Sequence, residues 1–369
     1  MRFLENINYF NGMKLIDFAH IFQGTVHGVL KDFTIWLGQS SSSDEKGSAN
    51  DTIEREVRPC HCDGMFIRED GFLFPCCRLR GNEKLRIGHL SDADLYEKIK
   101  DYDSICSRLK FKLRKIGADE KLCINYVNIE FSLLCQAQCA MCCVEAPGKG
   151  DPYLYYDELA KLIRNLNPMG LTVQGGEVMI QEDTMSFLKS IKSTNPNIKI
   201  SLISNACYDL SKIDMIEEVF DFMYVSMVGF QSETYKRIMG LDINKTKRFI
   251  DALIDRGKVG IGLKYLVTPL NVHEAGLFLD WAIQRKPTEI SIADSNIDQY
   301  INYKSWDNFW NKIIKRTSFE VKKELMQKKE FMLQNNIKVG FDFNCKRIYD
   351  ISDSFIKDND LDNAINFLG

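Results

Sequence analysis

From residue 127 to 292 the chain alternates short apolar stretches with stretches of helical spacing, and this alternation restricts the possible folds most. Residues 127–131, 171–174, 198–203, 222–226, 261–267 and 289–292 read as strands. Residues 155–166, 186–191, 215–220, 249–256 and 275–283 carry helical spacing between them. About six such units predict parallel strands joined by helical crossovers. Six are too few for a closed eight-stranded barrel, so the expected fold is α/β, a partial (β/α)6 barrel. In such sheets ligands bind at the carboxyl ends of the strands.

Around this core the chain divides into four stretches. Residues 1–57 read as an N-terminal helical extension and a flexible linker: Phe10, Leu15, Phe18, Ile21 and Phe22 are helically spaced, and polar residues 39–50 include Ser40 to Ser43. Residues 58–123 are cysteine-rich, 124–300 hold the barrel, and 301–369 read as a mostly helical extension. A formal charge of −3 argues against a nucleic-acid binder that relies on bulk positive charge. No apolar run reaches the roughly 18 residues of a membrane span. Arg2, Glu5, Lys14, Asp17 and His20 interrupt any signal-peptide core, so the expected location is the cytoplasm. Thiols there stay reduced, which makes clustered cysteines metal ligands rather than disulfides.

Ten of the twelve cysteines lie between Cys60 and Cys143. Cys135, Cys139 and Cys142 follow the first strand, with three and then two residues between them. Thiolates so spaced can bind three corners of a cubane iron–sulfur cluster and leave the fourth iron open to an exogenous chelator. Zinc, the alternative, normally closes its fourth position with a second distant pair of ligands. Cys143 diverges from its neighbour and reads as a small buried residue. The second strand ends in Gly175, Gly176 and Glu177, where two glycines permit close backbone approach and a carboxylate can hold an ammonium group.

This triplet, followed by the Gly-Gly-Glu strand end, resembles the radical S-adenosylmethionine (SAM) superfamily over about residues 125–295. The resemblance implies a [4Fe–4S] cluster on Cys135, Cys139 and Cys142, with SAM chelating its open iron. It also implies that Gly175, Gly176 and Glu177 receive the methionine ammonium. Ser204 and Asn205 after the third strand, Ser226 at the end of the fourth and Asn271 after the fifth match more loosely. Their hydroxyl and amide groups suit the ribose and carboxylate of SAM, and equally suit turn caps. Two positions depart from the family. Met141 stands where an aromatic residue is usual, still apolar enough to lie against adenine. Val228 replaces a frequent aspartate.

Upstream, Glu69-Asp70-Gly71 between apolar runs is a hairpin signal, and a hairpin lets Cys60 and Cys76 share a metal. This stretch resembles the Twitch or SPASM auxiliary-cluster modules of radical SAM enzymes, here placed before the barrel. It implies a second [4Fe–4S] cluster on Cys60, Cys76 and two later cysteines, with Cys106 and Cys123 as candidates. Cys62 and Cys77 can replace their neighbours, and a zinc site or unliganded thiols are the alternatives. Arg108, Lys110, Lys112, Arg114 and Lys115 read as a solvated helix face or a phosphate-binding patch. Cys207, just past the third strand, is placed to donate a hydrogen atom to a substrate radical, or to pack as an ordinary cysteine. Cys345, with no cysteine neighbour, reads as core.

The function so implied is reductive cleavage of SAM to a 5′-deoxyadenosyl radical that abstracts hydrogen from a substrate. Family analogy leans to a peptide or protein substrate, with a sugar, nucleotide or other small metabolite as the alternative. A flavodoxin or ferredoxin would supply the electron. The rival of another class is a non-catalytic iron–sulfur protein that carries electrons or binds a partner. Such a protein has no need of an ammonium pocket at Gly175–Glu177.

Overall fold

The computed structural model describes residues 64–75, 77–100, 124–139, 142, 144, 150–268, 270–294 and 308–367. The chain divides into two compact units, 1–56 and 57–369, and all described residues belong to the second. Cys60, Cys62, Cys76, Cys106, Cys123, Met141, Cys143 and the basic patch at 108–115 lie outside the described residues.

The hairpin signal at Glu69–Gly71 joins β1 (Gly64–Ile67) to β2 (Phe72–Phe74), with Gly71 in the left-handed region at φ 82°. The short β3 (Gly88–His89) and α1 (Leu95–Lys100) follow. Then comes the alternation the sequence predicts: β4 (Tyr126–Glu130), α2 (Tyr156–Leu166), β5 (Gly170–Gln174), α3 (Glu182–Thr194), β6 (Lys199–Ser204) and α4 (Ile213–Val219). It continues through β7 (Phe222–Met227), α5 (Ser232–Met239), α6 (Ile243–Arg256), β8 (Gly260–Val267), α7 (Ala275–Arg285) and β9 (Glu289–Asp294). Helix α5 was not expected. It spans eight residues, too short to show a repeating pattern, although Tyr235, Ile238 and Met239 bury one face. Helix α6 starts earlier than its apolar spacing suggests, because the Asp242 side chain accepts from the Asn244 amide and caps it.

After α8 (Asn308–Gln327) and α9 (Lys329–Gln334), β10 (Val339–Phe341) pairs parallel to β9. Helices α10 (Phe343–Ile348) and α11 (Asp353–Asp358) lead to β11 (Ile365–Phe367), which pairs parallel to β10. The mostly helical extension thus also lengthens the sheet. Three-residue strands carry too little pattern to be read from sequence. The resulting sheet is mostly parallel, in the order β11-β10-β9-β8-β7-β6-β5-β4-β1-β2-β3. The hairpin joins it as well, β1 lying parallel to β4 with Ile67 opposite Ile129.

Because side chains alternate across a strand, the register sorts them onto two faces. One face carries Val127, Ile129, Leu171, Val173, Ile200, Leu202, Met223, Val225, Leu263, Ile290 and Ile292, all buried in one cluster with apolar residues of α2 to α7. Burying a Val, Leu or Ile side chain contributes about 1.5–3 kcal/mol, so this layer drives folding. The other face, turned from the helices, carries Asn128, Thr172, Gln174, Ser201, Tyr224, Ser226, Lys264 and Glu289. Among the described residues, no helix is long and apolar enough to cross a membrane.

Candidate cluster and cofactor site

The loop after β4 is pinned at several points. The amide of Gly176 donates to Ser132 O at 2.6 Å, and that of Glu177 to Leu134 O at 2.7 Å. Further along, the Gln138 amide donates to Met239 O at 2.8 Å, so the C-terminus of α5 holds the loop's far side. The Gln136 side-chain amide donates to Asn205 Oδ1 at 3.1 Å. These bonds tie the loop to the carboxyl ends of β5 and β6, where parallel sheets place their ligands.

Cys135, Cys139 and Cys142 are all partly exposed along this loop. Burial pushes the Cys135 thiol up to about 11 and the Cys139 thiol up to about 12, and the nearby thiols add to the rise. The Ala137 amide donates to Cys135 Sγ at 3.4 Å. Among the described residues, no three Cys, His, Asp or Glu side chains converge as they would around a single metal ion. In a cubane each thiolate takes its own iron, so the ligands stand apart. Three soft donors carried close together on one loop fit such a group.

The two glycines serve the loop as much as any ligand. A Cβ on Gly175 would lie 2.4 Å from Ser132 O, and one on Gly176 would lie 2.2 Å from Leu134 O. No side chain fits there. Glu177 is 1% exposed, with its carboxylate turned inward rather than out at the mouth. Its Oε2 accepts from Ser204 Oγ and the Asn205 amide, both at 3.0 Å. Among the described residues its Oε1 is buried with no hydrogen-bond partner. Burial raises its pKa, with hydrogen bonding from Tyr208, the Asn205 amide and Ser204 working against that rise. An orphaned buried carboxylate oxygen fits a cationic group.

Other expected residues are already occupied locally. Ser204 Oγ contacts the Tyr208 hydroxyl at 2.7 Å, and Asn205 Oδ1 also accepts from the Cys207 amide at 2.9 Å. Asn271 caps its own turn: Oδ1 accepts from the Thr268 amide at 2.7 Å and Nδ2 donates to Leu266 O at 2.9 Å. Ser226 stands half-buried on the inner face, and Val228 is buried after β7. Cys207 is partly exposed, with Sγ 3.9 Å from Asp242 O. Cys345 is buried in the core, and Cys77 is exposed after β2.

Two groups at this end of the sheet escaped the sequence reading. Glu130, the last residue of β4, pairs with Arg80, which also reaches Glu69 at 3.4 Å. Burial, reinforced by the shared bond to Glu69, pushes Glu130 up to about 8. Glu274 Oε2 accepts from the amides of Phe230 at 2.6 Å and Gln231 at 3.1 Å, joining the loops after β7 and β8. Nothing local in the sequence pairs residues 50 or 44 positions apart.

No protein-family model matches the chain. GTP 3′,8-cyclase of Limosilactobacillus fermentum is 27% identical over 132 residues, which is 33% of this chain and 39% of that protein. The GTP 3′,8-cyclase of Hydrogenovibrio crunogenus is 25% identical over 172 residues, 44% of this chain and 52% of that protein. The chain therefore spans about half the length, or less, of the curated relatives it matches. Streptococcus suis SuiB bound to S-adenosylmethionine is 14% identical and covers 68% of this chain and 56% of that one, with a TM-score of 0.47. The native structure of anSMEcpe with bound AdoMet and Cp18Cys peptide is 19% identical and covers 58% and 62%, with a TM-score of 0.42. Over these stretches the chain is similar in sequence to the GTP 3′,8-cyclases, and its fold is a mostly parallel α/β sheet.

Proposed function

We propose that the chain cleaves SAM reductively and uses the radical to abstract hydrogen from a small-molecule substrate. One observation carries this reading. The loop that carries three thiols after β4 is pinned by backbone bonds at Ser132 and Leu134 to the Gly175–Glu177 end of β5, whose buried carboxylate keeps one oxygen without a partner among the described residues. A simple electron carrier gains nothing from that oxygen.

In this reading Cys135, Cys139 and Cys142 hold a [4Fe–4S] cluster, which with SAM supplies the 5′-deoxyadenosyl radical. Gly175 and Gly176 present the strand end, and Glu177 Oε1 receives the methionine ammonium. Ser204 and Asn205 act through Glu177, fixing its other oxygen. Ser226 faces the inner cavity on the SAM side, and Met141 flanks the adenine. Cys207 is the candidate hydrogen donor. Cys60, Cys76, Cys106 and Cys123 would hold an auxiliary iron–sulfur cluster. The sequence relatives favour a nucleotide or similar metabolite over a peptide, since those named act on GTP.

Anaerobic reconstitution with iron and sulfide, followed by dithionite and SAM, tests the proposal. The expected product is 5′-deoxyadenosine. An intact cluster that yields none defeats the reading.

A further inference from the structure

Strand β8 presents Gly260, Gly262 and Lys264 in turn to the inner face of the sheet. The first two lack side chains because aromatic rings lie over them. A Cβ on Gly260 would meet the Phe222 ring at 2.6 Å, and one on Gly262 would meet the Tyr224 ring at 2.8 Å. The two rings, 4.6 Å apart between centroids, make an apolar floor. Lys264 is the next inward residue, so it is the first polar group above that floor, toward the strand ends that bear the cysteine loop.

In register, Lys264 stands between Ser226 on β7 and Ser291 on β9. It is half-buried, and among the described residues it makes no ion pair or hydrogen bond. Glu289 shares the face one step below, opposite Gly262, without pairing with it. Glu130 at the end of β4 and Glu69 on the β1–β2 hairpin are engaged by Arg80. An ammonium partly stripped of water on an inner wall is stabilised by an anion that reaches it. Lysine acts there as a point charge, and a serine hydroxyl adds a donor.

We propose that Lys264, with Ser291 beside it, binds the phosphate or carboxylate group of the substrate. The inference rests on the small-molecule reading above and narrows its substrate to an anionic one. It sets the substrate's charged end on β8 and β9, across the barrel from the loop after β4, with Ser226 on the SAM side. The methionine carboxylate of SAM offers the same chemistry, so the experiment must separate the two sources.

Calorimetric titration of the anaerobically reconstituted protein with pyrophosphate, malonate and SAM makes that separation. Wild type is expected to bind pyrophosphate or malonate. K264Q should weaken that binding roughly tenfold or more, as expected for loss of a charge-assisted hydrogen bond. K264R, which keeps the charge, should stay within a few-fold of wild type. The proposal is overturned if wild type binds neither probe, if K264Q binds as wild type does, or if K264R loses binding as fully as K264Q. It is also overturned if K264Q loses SAM affinity while its affinity for the probe is unchanged, because SAM then occupies the lysine. None of these titrations depends on 5′-deoxyadenosine formation, so failure of the radical chemistry and failure of the anion site remain distinct results.

Discussion

Replacing Gly176 with alanine puts the contact between β5 and the cysteine loop to a direct test. The new Cβ would lie 2.2 Å from Leu134 O and 2.5 Å from Leu133 O, both backbone atoms that cannot rotate away. Ordinary contact begins near 3.4 Å, so strand end and loop must part by more than about 1 Å. That movement strains two bonds, Gly176 N to Ser132 O and Glu177 N to Leu134 O. Overpacking costs about 1–3 kcal/mol, and each hydrogen bond contributes about 1 kcal/mol. The expected loss is roughly 3–5 kcal/mol, from a total that for most domains is about 5–15 kcal/mol. Shifting the thiols relative to Glu177 by about 1 Å should also slow turnover about a hundredfold. Urea titration reads the first effect, and iron content with 5′-deoxyadenosine yield reads the second. Gly81→Ala is the control, because nothing lies within 4 Å of its Cβ position. A G176A protein that takes up full iron and unfolds within about 0.5 kcal/mol of wild type refutes the packing argument.

Glu130 gives a pH test. Its folded pKa, raised to about 8, lies above the unfolded value, so its contribution is fully present below about pH 4.5 and is lost as pH rises through 8. Wild-type stability should therefore decline between about pH 5 and 9, and E130Q should flatten that decline; equal slopes in urea titrations would contradict it. C139A should lower the visible absorption and iron content of the reconstituted protein by one cluster and abolish 5′-deoxyadenosine formation, whereas C345A, in the core, should lower stability by up to a few kcal/mol and keep the full colour. C207A should retain the cluster and SAM cleavage while substrate conversion falls, and unchanged conversion would make Cys207 a packing residue. Iron analysis of a C76A protein should show a loss relative to wild type, and an equal content would leave Cys76 without iron.

The long apolar strands β4 to β9 were legible because each buries one face against helices, and burial writes a period into the sequence. Their ends shift by only a residue or two, as capping and fraying set them locally. Helix α5 and strands β10 and β11 were not legible, since three to eight residues hold too few repeats. For the site, Cys135, Cys139 and Cys142 were visible because one loop supplies all three. Gly175 and Gly176 were visible as residues that permit close approach. What they approach, the backbone of Ser132 to Leu134, was not.

By itself the sequence determined the parallel α/β class, the thiol-rich loop after the first long strand and the Gly-Gly-Glu strand end. These are local facts, written in spacing and residue type. The tertiary structure decided that the hairpin extends the same sheet, that Glu177 turns inward to Ser204 and Asn205, that Arg80 meets Glu130, and that Lys264 stands between Ser226 and Ser291 above an aromatic floor. Each of these depends on strand register or on contacts between distant segments. Side chains tens of residues apart acquire a relation only when the backbone hydrogen bonds of the sheet set which of them share a face.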